Sequence, residues 1–400
     1  MPWMECSAMS QRLEFVRLAS KDAANVAALC RGFGISRQTG YKWLARYHVG
    51  GEATVQEQSR RPHHSPTRTA AEIERLVIDL RATHPTWGGR KLRHRLLVLG
   101  HERVPAASTI TGILHRHNLI DPSESDKRSP VRRFERPRPN DLWQMDFKGD
   151  FSLAGGGRCH PLTALDDHSR YNLVLQACGD QKTQTVREHL IEAFRRYGLP
   201  RRMLMDNGVP WSSSSFELHW TSLSVWLLRL DIGVSHGRPY HPQTQGKEER
   251  FHRTLEGDLL RWHQFVDLAD VQGRLDPWRE VYNHQRPHEA LDMATPGDRY
   301  EPSSRRYPET LPPIEYDQGE VVRRVSPTAA IVFHNQRYVI GKAFRGYPVA
   351  LRPTREDGVW DVYFCNRRIR RIDERRGTSV ACHRGCSARS ARRTTSMELP

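Results

Sequence analysis

The sequence predicts an α/β domain in the middle of the chain, all-α helical units before it and a small all-β domain after it. Three observations carry this. From Leu142 onward short apolar runs alternate with helical stretches, the pattern of a sheet with helices on both faces. Before that point apolar residues recur at three- and four-residue spacing around Gly turns. Beyond Pro312 the helical period disappears and short strand-like runs follow one another, separated by Gly, Pro or Asn.

At 400 residues the chain can bury a large core and divide into several domains. Lys and Arg number 62 against 46 Asp and Glu, a formal net charge of +16. So basic a balance points to a polyanionic partner, because neutralising phosphates releases condensed counterions. No apolar run approaches the roughly 20 residues that span a bilayer, and MPWMECSAMSQRLEF lacks the basic head and apolar centre of a signal peptide. Both place the chain in the cytoplasm. The seven cysteines are scattered without a C-x-x-C pair, which fits free thiols. Cys382 and Cys386 flank His383, but no second ligand pair lies nearby to complete a zinc site.

The helical part opens with a short helix over Gln11 to Ala19. NVAALCRGFGISRQTGYKWLARY then has helix-turn-helix form: Val26, Leu29 and Phe33 share one face, Gly32 and Gly34 permit the turn, and Ser36 caps a second helix with Trp43, Leu44 and Tyr47 inward. Arg37, Gln38, Tyr41 and Lys42 face outward, suited to bases or phosphates in a major groove; an ordinary hairpin with a solvated basic face gives the same pattern. SRRPHHSP is a linker. A second helix-turn-helix-like unit follows, with Ile73, Leu76, Val77 and Leu80 on one helix, the Trp87-Gly88-Gly89 turn, and Ile110, Ile113 and Leu114 on the last. Lys127 to Arg138, with six basic residues and one acid, reads as a solvated linker or a strap along DNA backbone. Expected boundaries are 1–58 for the first helical domain, 59–69 linker, 70–120 second helical domain, 121–137 basic linker, 138–300 α/β core, 301–374 small β-barrel and 375–400 disordered basic tail.

Within the core, Asp146 ends WQMD on the expected first, central strand, and Asp206 follows a short buried strand, where Asn207-Gly208 turns the backbone. A helix from Gly246 carries Glu248 and Glu249. Two Asp at strand ends and a Glu on a crossing helix suit Mg²⁺, which prefers hard oxygen ligands. Two such ions can assist an in-line phosphoryl displacement. A lone Asp at a strand end is also an ordinary turn former, and spacing alone does not prove convergence. Asp166 and Asp167 read as supporting acids or as part of a hairpin turn. His241, Gln243, Gln245 and Lys247 border the expected cleft as DNA contacts or as plain loop polarity, and His252 reads as a packed histidine.

WQMD, LDDHSRY, DNG, RPYHPQTQGK-x-ER and NHQRPHEAL, in that order, resemble the bacterial insertion-sequence transposases with a retroviral-integrase-like catalytic core, over about residues 10–375. The resemblance implies an RNase H-like core, an SH3-like β-barrel after it, and a DDE triad of Asp146, Asp206 and Glu249 holding two Mg²⁺ or Mn²⁺ ions. It implies a DNA transposase of the bacterial nucleoid that nicks element ends hydrolytically and joins the freed 3′-OH to target DNA, working as a homo-oligomer. The alternative is a catalytically impaired, sequence-specific DNA-binding protein. A viral-type integrase would need an N-terminal His-His-Cys-Cys zinc unit, and the cysteine pair is missing. One position departs from the family. With Phe251, Leu255, Leu259 and Trp262 as the apolar face, Glu248 projects nearer that face than Glu249. Family members usually carry a small apolar residue there, so Glu249 matches the catalytic acid, while a carboxylate on the apolar side would raise its own pKa or distort the start of the helix.

Overall fold

The computed structural model describes residues 8–57, 69–120, 135–208, 210–211, 220–237, 246–376 and 378–381. It forms two compact units, Met1–Arg68 and Thr69–Pro400. The first unit contains α1 (Ala8–Ala19), α2 (Val26–Gly32) and α3 (Arg37–Gly50). Asn25 caps α2 through the Ala28 amide (3.0 Å), and Ser36 caps α3 through the Thr39 amide (3.1 Å). Phe15, Val16, Cys30, Trp43 and Val55 fill its core. Gly40 is required there, because a Cβ would lie 2.5 Å from Cys30 Sγ and 2.9 Å from the Phe15 ring.

The second unit begins with α4 (Ala71–Thr83), α5 (Gly89–Val98) and α6 (Ala107–Arg116), packed on Val77, Trp87, Leu92, Leu96, Ile110, Ile113 and Leu114. The core follows: β1 (Trp143–Phe147), β2 (Phe151–Ser152), β3 (Arg158–Asp166), β4 (Asn172–Cys178), α7 (Thr183–Tyr197), β5 (Arg202–Met205), α8 (Ser222–Arg229), β6 (Gly233–His236), α9 (Gly246–Asp258), α10 (Leu268–His284) and the short α11 (Pro296–Arg299). β3 pairs antiparallel with β4 and β1, and with β2 at its start; β1 pairs parallel with β5, and β5 with β6. β1 is therefore central, as its composition led one to expect.

Alternation along the strands assigns the two faces. Trp143 and Met145 of β1, with Leu162 and Ala164 of β3, pack under α7 and α8 against Leu190, Phe194, Trp226 and Leu227. Leu165 and Leu175 point the other way, onto Phe251 and Leu255 of α9 and Val271, Leu275 and Tyr282 of α10. By the same two-residue period Gln144, Asp146 and Thr163 belong to the α9 face.

The second helical unit, expected as a separate domain, sits on this core. Val281 of α10 packs against its cluster, and Arg286 donates to Asp258 (2.8 Å) and Thr86 (3.3 Å). The C-terminal region comprises β7 (Val321–Arg324), β8 (Ala330–Phe333), β9 (Gln336–Val339), β10 (Pro348–Pro353), β11 (Val359–Phe364), β12 (Arg367–Asp373) and β13 (Thr378–Ala381). Five of these form an antiparallel sheet in the order β13-β12-β11-β10-β7, and β8-β9 is a separate hairpin. Val225 and Leu228 of α8 join its core. The disordered tail expected from Arg375 is corrected here: Glu374–Arg376 makes a 3-10 turn, and β13 adds to the open edge of β12, from Asp373↔Thr378 to Arg370↔Ala381. An edge strand leaves a row of backbone groups to satisfy, and the nearest downstream segment does so. Residues 382–400 lie outside the described residues, as do most of both expected linkers.

Phe194, fully buried between Trp143 and Trp226, ties α7 to the sheet. Phe194→Ala is expected to cost about 3–5 kcal/mol, read as a lower urea midpoint with an unchanged slope. A change below about 1 kcal/mol would mean that α7 does not seal this face.

Candidate active site

Asp146 occupies the last turn of the α9-facing alternation in β1, opposite Thr163 of β3. Asp206 follows β5, the parallel neighbour of β1. Its carboxylate accepts from the Gly208 amide, and its carbonyl accepts from His236 Nδ1 (2.9 Å). Gly208 suits this turn because a Cβ would lie 3.0 Å from the Asp206 carboxylate. Asn207 donates to the Gly237 carbonyl (2.9 Å), tying the turn to the end of β6.

The third contribution comes from α9. Phe251 and Leu255 face the sheet, and Glu248 lies three residues before Phe251 on the same face. Glu248 is accordingly 0 % exposed, while Glu249 next to it is exposed. Thr163 Oγ1 joins the inner acids: it lies 3.0 Å from the Asp146 carbonyl, 3.1 Å from Glu248 Oε2 and 2.8 Å from His252 Nε2.

The electrostatics follow from burial of like charge. Asp146 is pushed up to about 7, first by burial, then by the charge of Asp206 and, more weakly, of Glu249; the Phe147 amide (2.9 Å) pulls the other way. Glu248 is raised well above the carboxylate range, by burial first and by Asp146 second, against the Thr163 hydroxyl. His252 is pulled down to about 4 by burial and by Lys148, which leaves it neutral near pH 7. Asp146 thus feels the charge of both Asp206 and Glu249, although no three His, Cys, Asp or Glu side chains among the described residues are gathered around one ion position.

The other expected residues divide. Lys247 turns inward onto Asp167, its Nζ 2.5 Å from Oδ1 and 2.7 Å from the carbonyl. Burial and Arg170 hold Lys247 down at about 8, against the pull of Asp167. Asp167 also accepts from Gln144 Nε2 (2.6 Å) and the Arg136 amide (2.7 Å), so it clasps the start of α9 to β1 and β3. Asp166 is the turn former, accepting from Ser169 (2.8 Å from its amide, 2.6 Å from its hydroxyl) and the Asn140 amide (2.7 Å). In the first unit Arg37, Gln38, Tyr41 and Lys42 are all exposed along α3. His241, Gln243 and Gln245 lie outside the described residues. Thr163 was missed from the sequence, although a hydroxyl between Leu162 and Ala164 in a buried run was a visible signal; nothing in the sequence links Asp167 to Lys247.

Comparison with known proteins bears on this arrangement. An integrase core domain model matches residues 136–242 and a second, also an integrase core domain, residues 230–296. A helix-turn-helix domain matches 11–63 and a homeodomain-like domain 39–114. The C-terminal domain of the IS481 family transposases matches 320–379. Helix-turn-helix, integrase-core and IS481-type C-terminal domain matches thus follow one another along the chain. Its core is an integrase core. Among curated relatives it is 27 % identical over 249 residues to the insertion element IS476 uncharacterized 39.2 kDa protein of Xanthomonas euvesicatoria, over 58 % of this chain and 65 % of that protein. It is 29 % identical over 161 residues to the insertion element IS407 uncharacterized 31.7 kDa protein of Burkholderia multivorans, over 40 % and 55 %. The chain thus spans less than two thirds of the length of either. Among solved structures, the HTLV-2 integrase catalytic core domain in complex with magnesium matches at TM-score 0.32 and 15 % identity, over 41 % of this chain and 99 % of that one.

The buried Glu248 gives a direct expectation. A carboxyl raised in the folded state contributes its full stability below its unfolded pKa of about 4.3 and loses it as pH rises toward the folded value. Glu248→Gln is expected to melt close to wild type at pH 5 and increasingly above it toward pH 8. Thermal scans of both proteins across that range check this, and parallel curves would count against a buried, protonated Glu248.

Proposed function

We propose that the protein is a DNA transposase that binds the ends of an insertion sequence, nicks them hydrolytically and joins the 3′-OH ends to target DNA. The observation that carries this is a buried Asp146 that feels the charge of Asp206 and Glu249 in an integrase core. A partly desolvated acid cluster of this kind is stabilised by divalent cations, and its all-oxygen donor set fits Mg²⁺ or Mn²⁺. Asp146, Asp206 and Glu249 would hold two such ions, which when bound activate the attacking oxygen and offset charge on the leaving one.

The rest of the task falls to the chain itself. The clasp of Lys247 on Asp167 holds the start of α9, the turn that carries Glu249, against the sheet. Thr163 and the neutral His252 occupy the polar atoms around Asp146 and Glu248. Arg37, Gln38, Tyr41 and Lys42 present an exposed helix face suited to a major groove. Gln243 and Gln245 flank α9 in sequence and complete the assigned DNA contacts. Because an element has two ends, the working assembly is a homo-oligomer bridging them, in the bacterial nucleoid. No helix among the described residues is long and apolar enough to cross a membrane.

Asp146→Asn is expected to abolish Mg²⁺-dependent cleavage of end-bearing oligonucleotides while end binding persists; cutting at the wild-type rate would refute the triad. If wild type itself binds ends without cutting, the protein is the catalytically impaired DNA-binding protein instead, a reading that the burial of Glu248 against Asp146 favours. A second outcome concerns pH. Since Asp146 must shed a proton near pH 7 to take a cation, apparent Mg²⁺ affinity should rise from pH 6 to pH 8 with proton release. Calorimetry in buffers of different ionisation enthalpy reads that release, and its absence would exclude Asp146 as a ligand.

A further inference from the structure

The seam between the second helical unit and the core holds more positive charge than its own acids neutralise. Arg90 of α5 lies 3.8 Å from Glu289, and Arg95 donates to Gln285 (2.9 Å). Lys91 stands four residues before Arg95, on the same side of the helix, and is therefore bracketed by the 285–289 segment. Within that segment Arg286 is 5 % exposed and is engaged by Asp258 and Thr86, which also bond to each other. Phe251 of α9 packs on Tyr282 (4.9 Å between ring centres), and Tyr282 on His288 (5.0 Å); Arg250, one residue before Phe251, lies near enough for its charge to act on Lys91, Arg286 and His288 of the same seam.

Asp258 and Glu289, the acids of this seam, are thus taken by Arg286 and Arg90. Neither the Lys91 ammonium nor the Arg250 guanidinium makes a hydrogen bond or ion pair with another side chain or with backbone among the described residues. Lys91 is largely withdrawn from water, and burial together with Arg286 and Arg250 pulls it down to about 7 against the weaker pull of Asp258 and Glu289, the direction expected of an ammonium with no acid bonded to it. Such a cation is stabilised by an anion brought from outside. Arg250 adjoins Glu249, so an anion at the seam lies beside the helix that carries the third acid.

We propose that Lys91 and Arg250, backed by the Arg286–Asp258 pair, form a seat for a DNA backbone phosphate at the seam between the second helical unit and the core. A strand seated there is held by α5 and α9 together, so the helical unit guides the DNA toward the acids of its own core. The proposal rests on the transposase reading for its ligand, not for its charge. A phosphodiester fits because its single negative charge can be met by an ammonium and a guanidinium from opposite sides.

The test uses the full chain and a labelled duplex bearing an element end, with binding followed against salt. Lys91→Gln and Arg250→Gln are each expected to weaken binding several-fold and to reduce the slope of log affinity against log salt by about 1. Circular dichroism melts control for folding, and Arg250, being exposed, carries the test should Lys91→Gln fail to fold. A second arm measures melting of the wild type in inorganic phosphate alone. Wild-type binding with both variants unchanged in affinity and slope would overturn the seat and leave the transposase reading standing. A phosphate-induced melting shift, lost in Lys91→Gln, without any change in the duplex slope would overturn the DNA ligand in favour of free phosphate. Wild type that fails to bind the duplex would instead refute the reading on which the ligand rests.

Discussion

Negative charge withdrawn from water on the α9 face of the central sheet is the constraint to which the rest of the core answers. β1 has no freedom in this: with Trp143 and Met145 filling the space under α7 and α8, a two-residue period sends Asp146 to the opposite face. That face is closed by Phe251 and Leu255, so a carboxylate there is desolvated as well as crowded by Asp206 and Glu249. Crowding is not relieved by separation, because α9 is held at its start by the Lys247–Asp167 pair and along its length by apolar packing. The remaining routes are to hold protons or to gather cations. Glu248 takes the first, and an integrase core at this position suits the second.

The same economy shows in the polar groups nearby. Thr163 places its hydroxyl among Asp146, Glu248 and His252 and links the buried histidine to the buried acid through three contacts. Had His252 been charged it would have offset Glu248 directly. Burial and Lys148 prevent that, so the pair is stabilised by hydrogen bonding and not by opposite charge.

Docking of the second helical unit follows a different logic. A buried Arg286–Asp258 pair adds little net stability over apolar side chains of the same size, because both ions lose water. What it supplies is direction: Thr86 satisfies the pair from the helical unit, so the seam closes in one register. The second helical unit and the acids are thereby carried on one compact unit, with the charge left over at Lys91 and Arg250 held at its seam. The C-terminal sheet is attached by apolar contact instead, through Val225 and Leu228.

Local signals were enough for much of this. Helical period and capping at Ser36 located α3, strand texture located β5 and β11, and the phase of Phe251 and Leu255 placed Glu248 on the buried side of α9. Each of these is written in residues a few positions apart, where periodicity and side-chain to backbone bonds act. Beyond their reach lay β7, whose Val-Val-Arg-Arg has no alternation, and β13, which exists because β12 offers it an edge. Distant pairings were equally hidden: Lys247 faced an expected cleft in the sequence and meets Asp167 in the fold, and Arg286 in the RPH turn meets Thr86. Sequence by itself determined which acids the chain owns and which face of each element they occupy. Only the tertiary structure decided which of them lose their water and which cations are left without partners, because desolvation and charge pairing are properties of surfaces brought together from far along the chain.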